Sequence, residues 1–307
     1  MNDKKMIIIT GPTAVGKSDI SIKLAKRING EIISADSIQV YRGLDIGSAK
    51  ISESEREGVK HYLIDCLDPD EYFDVTGFVK LAEDASEKIY AKGKLPIMVG
   101  GTAFYIQAFL KGVDFDEENH DMTYRESLAE LDEDELYDTL KSVDPDYAAT
   151  VHKNNKKRVI RALEYNHFTG KMFSGYNSEQ SEKPGLYDDH YFVLTDKREL
   201  LYDRIDKRVD KMMNGLVEEV KGLMDSGYGP ELKSMQSIGY REICEYLNGT
   251  CTLQEAADNI KTSTRHYAKR QLTWFKREKN AVFINRSDFD GDNDKIVDHI
   301  VSQIGLC

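Results

Sequence analysis

The stretch GPTAVGKS, Gly11 to Ser18, has the G-x-x-x-x-G-K-[ST] spacing of a loop that binds phosphate groups. Gly11 and Gly16 allow backbone conformations that turn successive amides toward an anion. Lys17 adds a point charge, and the hydroxyl of Ser18 can bind Mg²⁺. The motif therefore predicts a phosphate site with a magnesium ligand at its edge.

Asp36, in the stretch ADSIQVY, is a second residue placed to do chemistry. It follows an apolar run, so its carboxylate is expected across a cleft from the phosphate loop, where it can accept a proton from a hydroxyl or an amine. Two other roles stay open, a ligand that reaches Mg²⁺ through water and a structural cap of a helix or turn.

The end of the later apolar run LPIMV carries no acid, and Gly100, Gly101 and Thr102 stand there instead. A nucleotide hydrolase usually keeps an Asp at such a strand end. The chain therefore lacks, at this strand end, the acid expected of an enzyme that activates water on a terminal phosphate.

Apolar runs that alternate with helical patterns must position these residues. Strands are expected at KKMIIIT, GEIISADS, KHYLIDCLDP and KLPIMVGGT. The phosphate loop leads into a helix, and a second helix is expected between Asp74, a plausible N-cap, and Gly93. This alternation predicts a parallel, helix-covered sheet, and ligands of such sheets gather at the carboxyl ends of the strands.

The composition changes between about residues 114 and 189, which are acidic, then basic, then polar. We interpret 114–189 as a helical insertion between the first part of the core, 1–113, and its completion, 190–307. After residue 190 the strand-like HYFVLT precedes long helical patterns, including ELLYDRIDKRVDKMM and LVEEVKGLMDSG, and a short strand, AVFIN, comes before a last helix.

Length and composition indicate a globular, cytoplasmic protein. The chain has 307 residues, of which 40% are hydrophobic and 31% charged. No apolar run approaches the ~18 residues of a membrane helix, and the first strand begins too early to leave room for a leader peptide. Cys66, Cys244, Cys251 and Cys307 are far apart and form no C-x-x-C pair, so we expect reduced thiols.

The net charge of −12 argues at first against a nucleic-acid partner. Twelve acids and one base between 113 and 140 account for nearly all of the excess. Two basic stretches remain, KNNKKRVIR at 153–161 and the segment 261–279. Each is consistent with RNA contact, and a solvated helix face is the alternative.

Eight stretches together resemble the tRNA dimethylallyltransferases, or isopentenyltransferases. They follow the order and approximate spacing of that family from Ile8 to about Lys276: GPTAVGKS, ISADSIQVYRGLDIGSAK, HYLIDCLDP, VGGTAFY, RALEYNHFTGK, RIDKRVDKMM, SIGYRE and RQLTWFK. The resemblance implies transfer of the dimethylallyl group of dimethylallyl diphosphate to the exocyclic amine of the adenosine just 3′ of the tRNA anticodon, with release of diphosphate.

The resemblance also implies roles at the donor site. Lys17, Ser18 and Mg²⁺ would stabilise the leaving diphosphate, and Asp36 is the implied general base. Arg208 is an implied diphosphate contact and Arg204 a second candidate, with a surface ion pair as the alternative for each. Thr102 is implied near the adenine and the diphosphate, in a catalytic set with Asp36 and Lys17. The implied donor-binding loop comprises Gly11, Pro12, Thr13, Ala14, Val15, Gly16, Lys17 and Ser18.

For the RNA, the target adenine must be flipped out of its stack to reach Asp36. Ser37, Ile38 and Gln39 would flank it, and Gln39 can read an adenine edge. The family usually has Arg at the position of Ile38 and G-G-T-G-L-Y where this chain has GGTAFY. The basic stretch of the insertion resembles the segment that grips the anticodon stem-loop. Its implied contacts are Lys157, Arg158, Val159, Ile160 and Arg161.

These observations favour a P-loop kinase-like α/β core with a helical insertion and a helical carboxyl-terminal part, acting as a monomeric tRNA prenyltransferase. The alternative is a small-molecule kinase with ATP in the loop and Asp36 as its base. That function has no use for two basic stretches. A non-catalytic RNA-binding protein is a third hypothesis. Trp274 and Phe275 are interpreted as core residues.

Overall fold

A computed structural model describes residues 4–113, 122–182 and 185–305. The chain divides into two compact units, a first formed by 1–110 with 186–307 and a second formed by 111–185. The expected domain boundary at residue 114, five of the acids before residue 122 and Cys307 lie outside the described residues.

The first unit is built on a parallel sheet. Its strands are β1 Lys5–Thr10, β2 Gly30–Ala35, β3 His61–Tyr62, β4 Leu95–Gly100, β5 Asp188–Thr195 and β6 Val282–Asn285. Their order is β3-β2-β4-β1-β5-β6, and every pairing is parallel. The predicted α/β class is confirmed.

Helices follow the strands in the order that the sequence patterns predicted. They are α1 Lys17–Arg27, α2 Val75–Tyr90, α3 Ala103–Lys111, α4 Met122–Glu130, α5 Glu133–Val143, α6 Pro145–Ala148, α7 Lys156–Thr169, α8 Phe173–Glu182, α9 Arg198–Asp225, α10 Tyr240–Leu247, α11 Leu253–Phe275 and α12 Asn293–Ile304. Asp74 is the N-cap of α2, as expected, and its side chain accepts a hydrogen bond of 3.0 Å from the amide of Gly77.

One strand differs from its sequence pattern. The third strand is only two residues long, because Leu63 and Asp65 adopt positive φ angles of 61° and 55° and turn the chain out of the sheet. The two helical patterns expected after residue 198 are both present within α9, on either side of a break at Asn214 and Gly215, whose φ is 147°.

Successive side chains of the central strands pack into two apolar layers, one on each face of the sheet. Ile8 and Ile33 belong to one layer with Phe78, whereas Ile7 and Ile32 belong to the other. The second unit has a core of its own, formed by residues of α4, α5, α6 and α7 with Val151. Within the described residues, no helix is long and apolar enough to cross a membrane.

The carboxyl ends of three strands are level with one another. Gly100 is in register with Thr10 on one side and with Ala35 on the other. The hydroxyl of Thr10 donates to the carbonyl of Gly100 over 2.7 Å, and the amide of Thr102 donates to the carbonyl of Ala35 over 3.2 Å. The segments that leave these strands therefore start side by side.

Gly100 has no room for a side chain, because a Cβ there would lie 2.1 Å from the carbonyl oxygen of Ala35. We expect Gly100→Ala to lower the free energy of unfolding by about 1–3 kcal/mol, since backbone has to move. Gly222→Ala is the matched control, because Gly222 lies in α9 with open space around it. That change should raise stability by about 0.5–1 kcal/mol. Urea unfolding followed by circular dichroism measures both, and equal effects would contradict the steric explanation.

Candidate active site

The phosphate loop connects β1 to α1 in a strained, preformed conformation. Gly11 and Gly16 have φ angles of 139° and 91°, and Ala14 has 62°. A Cβ on Gly11 would lie 2.3 Å from the carbonyl oxygen of Leu194, so this position accepts only glycine. Val15 is fully buried and anchors the loop in the core. The loop thus presents its amides at the amino-terminal end of α1, where negative charge is favoured.

The side chain of Lys17 lies within its own loop. Its Nζ donates to the carbonyl oxygens of Gly11 and Pro12 over 3.0 and 2.9 Å. Burial and the neighbouring charge of Arg208 lower the pKa of Lys17 to about 8, against an opposing effect of Asp36. The ammonium group therefore gains from any anion that enters the loop.

Arg208, on α9, lies beside the loop and donates to the hydroxyl of Thr13 over 3.3 Å. Burial lowers the pKa of Arg208, and Asp36 opposes this shift. The acids that lie near Arg208 in sequence could have formed the alternative surface ion pair with it, but each of them is paired with another base. These pairs are Asp203 with Lys207, Asp206 with Arg265 and Asp210 with Lys261. Arg204, by contrast, is held by Asp196.

Asp36 follows β2 directly, and its carboxylate has a structural role in its own turn. Its Oδ1 accepts hydrogen bonds from the amides of Ile38 and Gln39, at 2.9 and 3.3 Å. Asp36 therefore has the structural role that was one of its three alternatives. This role is compatible with accepting a proton or reaching Mg²⁺ through water, because the side chain also lines two cavities.

The two cavities adjoin each other and differ in chemistry. One, of about 320 Å³, includes Gly16, Lys17, Ser18 and Arg204 in its wall. The other, of about 340 Å³, is largely apolar, with Ile205, Val209, Met212, Ile238 and Ile260 in its wall. Five residues line both cavities: Thr13, Asp36, Ser48, Arg208 and Tyr267. They therefore mark the junction of a site suited to phosphate with a site suited to hydrocarbon.

Gln271 and Tyr267, on α11, complete the polar cavity and were not singled out in the sequence. The buried amide of Gln271 accepts from the backbone N–H of Thr13 over 2.8 Å and donates to the carbonyl of Gly101 over 2.9 Å. Tyr267 interacts with Thr102 and Gln271, and burial raises its pKa to about 12. Gln271 lies in RQLTWFK, one of the stretches that carry the resemblance. The one local signal for this pair in the sequence is the i, i+4 spacing of Tyr267 and Gln271, which places them on the same face of a helix.

The segment that follows Asp36 is held by the side chain of Gln39. Its amide nitrogen donates to the carbonyls of Ser48 and Ala49, at 3.3 and 3.5 Å. Gln39 lines the polar cavity, whereas Ser37 and Ile38 line the apolar one. The side chains implied in adenine binding thus surround Asp36, and Gln39 also fixes the neighbouring loop.

Ala103 and Phe104, where the chain departs from the resembled pattern, begin α3 immediately after Thr102. Phe104 is 44% exposed and contacts Trp274 edge to face, with ring centroids 6.3 Å apart. Phe275 is fully buried and Trp274 packs against the core, which confirms the interpretation of both residues.

The basic stretch of the second unit has two faces. Lys157 and Arg158, on α7, are exposed, and Arg161 is partly exposed. Val159 and Ile160 are buried in the core of the unit, so their side chains are not available for the implied contact with RNA. Lys153 pairs with Asp134, and Lys156 donates to the carbonyls of residues 129 and 131.

Ser18 is the residue implied in metal binding, and it lines the polar cavity with Asp36. Among the residues described, no group of three or more His, Cys, Asp or Glu side chains forms a candidate metal site. A hydroxyl beside a phosphate loop suits Mg²⁺, which takes few ligands from protein and the rest from phosphates and water.

Comparison with known proteins identifies the family. The family model described as IPP transferase matches residues 39–278. The chain belongs to the IPP transferase family. It is 53% identical over 292 residues to the tRNA dimethylallyltransferase of Lachnoclostridium phytofermentans, an alignment that covers 94% of this chain and 93% of that protein. The predicted family is confirmed, and the kinase alternative is not favoured.

Solved structures of IPP transferases have the same fold. The tRNA delta(2)-isopentenylpyrophosphate transferase of Staphylococcus epidermidis is 40% identical, with a TM-score of 0.74 and coverage of 99% of this chain and 100% of that one. The enzyme of Bacillus halodurans is 43% identical with the same TM-score, and 98% and 96% are covered. A eukaryotic dimethylallyltransferase acting on tRNA is 34% identical, with a TM-score of 0.82 and coverage of 94% and 75%.

The low pKa of Lys17 predicts a pH dependence of anion binding. The free protein loses this proton near pH 8, whereas a bound diphosphate keeps it in place. Affinity for inorganic diphosphate should therefore fall as the pH rises above about 8, approaching tenfold per pH unit. Calorimetric titration of the protein and of Lys17→Met separates this effect from the titration of diphosphate itself. Parallel pH profiles for the two proteins would contradict the assignment.

The bridge made by Gln271 predicts a second effect on the loop. Gln271→Ala removes the acceptor of the Thr13 amide and should weaken diphosphate binding about tenfold, the usual value of one hydrogen bond to a buried group. Gln254→Ala is the matched control, because Gln254 is exposed on the same helix. Its affinity should stay within about twofold of the original. An unchanged affinity in Gln271→Ala would show that the loop holds its shape without the bridge.

Proposed function

We propose that this chain transfers the dimethylallyl group of dimethylallyl diphosphate to the exocyclic amine of the adenosine just 3′ of a tRNA anticodon. The observation that supports this most directly is the junction of the two cavities at Thr13, Asp36, Ser48, Arg208 and Tyr267. A diphosphate ester of a short hydrocarbon fits that junction, with its reacting carbon–oxygen bond beside the carboxylate.

The donor would bind with its diphosphate in the phosphate loop. The loop amides, Lys17 and Arg208 provide hydrogen bonds and positive charge for the phosphate oxygens. Ser18 would hold Mg²⁺, which supplies further positive charge to the leaving group. The positive groups already lie close to one another, so little reorganisation is needed when negative charge develops on the departing diphosphate.

The dimethylallyl chain would occupy the apolar cavity. Ile205, Val209 and Ile260 form part of the apolar portion of its wall. Water has to be kept from the allylic carbon, because it would otherwise compete with the adenosine amine as the nucleophile. The apolar wall therefore favours transfer over hydrolysis of the donor.

Asp36 would act as the general base. The adenine nitrogen forms its bond to the allylic carbon, the carbon–oxygen bond breaks, and the amine proton passes to the carboxylate. The amides of Ile38 and Gln39 fix the carboxylate through Oδ1. Thr102, next to Tyr267, would help to position the adenine and the diphosphate.

The RNA would be bound through phosphate contacts on exposed basic side chains. In the second unit we propose Lys157, Arg158 and Arg161, and at the end of α11 Lys269 and Lys276, which are exposed. The other bases of the α11 stretch are partly used, since Arg265 and Lys261 pair with α9. Binding through phosphates predicts a strong dependence of affinity on salt.

Three finer points belong to the same proposal: the metal is Mg²⁺, the protein works as a monomer, and it acts in the cytoplasm. Cys66, Cys244 and Cys251 are free thiols, which suits a reducing compartment.

Transfer of label tests the function. The protein is incubated with labelled dimethylallyl diphosphate, Mg²⁺ and an anticodon stem-loop that contains the target adenine, and label is expected in the RNA. Asp36→Asn keeps an oxygen for the amides of its turn but cannot take a proton, so kcat should fall about 10²–10⁴-fold. Affinity for the stem-loop should change less than about twofold.

Asp84→Asn is the control for the loss of one negative charge, because Asp84 is exposed on α2 and pairs only with nearby Lys88 among the contacts described. Transfer by Asp36→Asn at the original rate would overturn the assignment of the base. Phosphoryl transfer from ATP without any prenylation of RNA would overturn the function itself.

A further inference from the structure

Arg286 lies against the phosphate loop, although it comes from the far end of the chain. It is the first residue of a 3₁₀ turn, Arg286–Phe289, that follows the edge strand β6. A Cβ on Gly16 would lie 2.9 Å from Nη1 and 3.3 Å from Cζ of this arginine. The guanidinium group therefore packs on the bare Cα of Gly16, at the point where the loop enters α1.

Arg286 and Arg204 carry buried N–H groups that find no acceptor among the described residues. They are Nε and Nη1 of Arg286 and Nη1 of Arg204. Buried donors without acceptors are unfavourable and rare in folded proteins. Three of them beside one anion-binding loop indicate that the acceptor belongs to a ligand.

Of the two carboxylates near this pair, Asp196 is already occupied. Asp196 holds Arg204, and it also accepts from the hydroxyl of Ser287 over 2.6 Å and from the amide of Lys197 over 2.8 Å. Burial and the charge of Arg204 lower the pKa of Arg286, while Asp196 and Asp19 oppose the shift. Arg204 and Arg286 are thus two like charges that lie close together, with Asp196 and Asp19 as their acidic neighbours.

We propose that Arg286, together with Arg204, binds the phosphate of the donor that is distal to the dimethylallyl group. The placement follows from the two cavities. Gly16 and Arg204 line the polar cavity alone, whereas Arg208 and Thr13 line both. Arg208 is therefore next to the reacting bond, and the Arg286 side of the loop is at the other end of the diphosphate. This inference rests on the proposed function for the identity of the donor.

Contact with the distal phosphate has a kinetic consequence. Most of the charge that develops as the carbon–oxygen bond breaks falls on the proximal phosphate, so a distal contact is similar in the ground state and the transition state. Such uniform binding lowers KM with little effect on kcat. Arg286 is thus a binding residue, whose loss should raise the KM for donor.

The test is calorimetric titration with inorganic diphosphate and with dimethylallyl monophosphate, which lacks the distal phosphate. Arg286→Met should bind diphosphate about 10–100-fold more weakly, the effect of losing a charge-assisted hydrogen bond or two. Its affinity for dimethylallyl monophosphate should change less than about threefold. Arg286→Lys should lie between the two, because it keeps the charge but loses the planar fork.

Arg27→Met is the matched control, since Arg27 is an exposed arginine on α1 that pairs with Asp298. Equal losses for both ligands, or unchanged diphosphate affinity, would overturn the proposal and leave Arg286 a packing residue. If Arg286→Met melts at a lower temperature than the original protein, the proposal is judged from Arg286→Lys instead, by comparing its affinities for diphosphate and for dimethylallyl monophosphate. These titrations measure binding and do not require transfer to RNA. If the protein binds diphosphate but does not prenylate RNA, the proposed function is wrong, whereas the role of Arg286 in binding diphosphate can still be tested.

Discussion

The site depends on how closely three parallel strands end beside one another. The backbones at Ala35 and Gly100 approach so tightly that a methyl group cannot enter, and the phosphate loop leaves β1 at the same level. Because the strands are hydrogen-bonded in register, the loop, Asp36 and Thr102 emerge at fixed spacing from a rigid edge. The geometry of a reaction between two bound substrates is thereby set by the sheet and not by flexible side chains.

A second constraint is electrostatic. The protein as a whole carries a net charge of −12, yet the region around the loop gathers Lys17, Arg204, Arg208 and Arg286. Asp19, Asp36 and Asp196 face this group, and Asp36 and Asp196 are already engaged by hydrogen bonds. Burial makes the imbalance costly, as the low pKa of Lys17 shows. A diphosphate relieves it, so affinity for the donor is built into the unliganded fold.

Much of this arrangement could be predicted from local sequence. The loop between β1 and α1, the ends of β2 and β4 and the N-cap at Asp74 are short-range patterns, and each was found where expected. The burial of Val159 and Ile160 was also readable, because they fall on the apolar face of a helical pattern. The sequence-based hypothesis treated the basic stretch as a single unit and so missed its two faces.

Other features depend on long-range contacts that no local pattern encodes. Gln271 reaches Thr13 across 258 residues of sequence, and Arg286 reaches Gly16 from beyond the last strand. The early end of the third strand results from left-handed backbone at Leu63 and Asp65. These are consequences of packing, which only the folded chain reveals.

The amide of Gln271 connects two tasks that are otherwise separate. Its helix, α11, carries basic side chains at its exposed end, and the same amide holds both the phosphate loop and the chain after β4. A displacement of α11 must therefore move Thr13 or break one of these bonds. On the proposed function, an RNA backbone bound at the exposed end of α11 would act on the donor's phosphates through this one side chain.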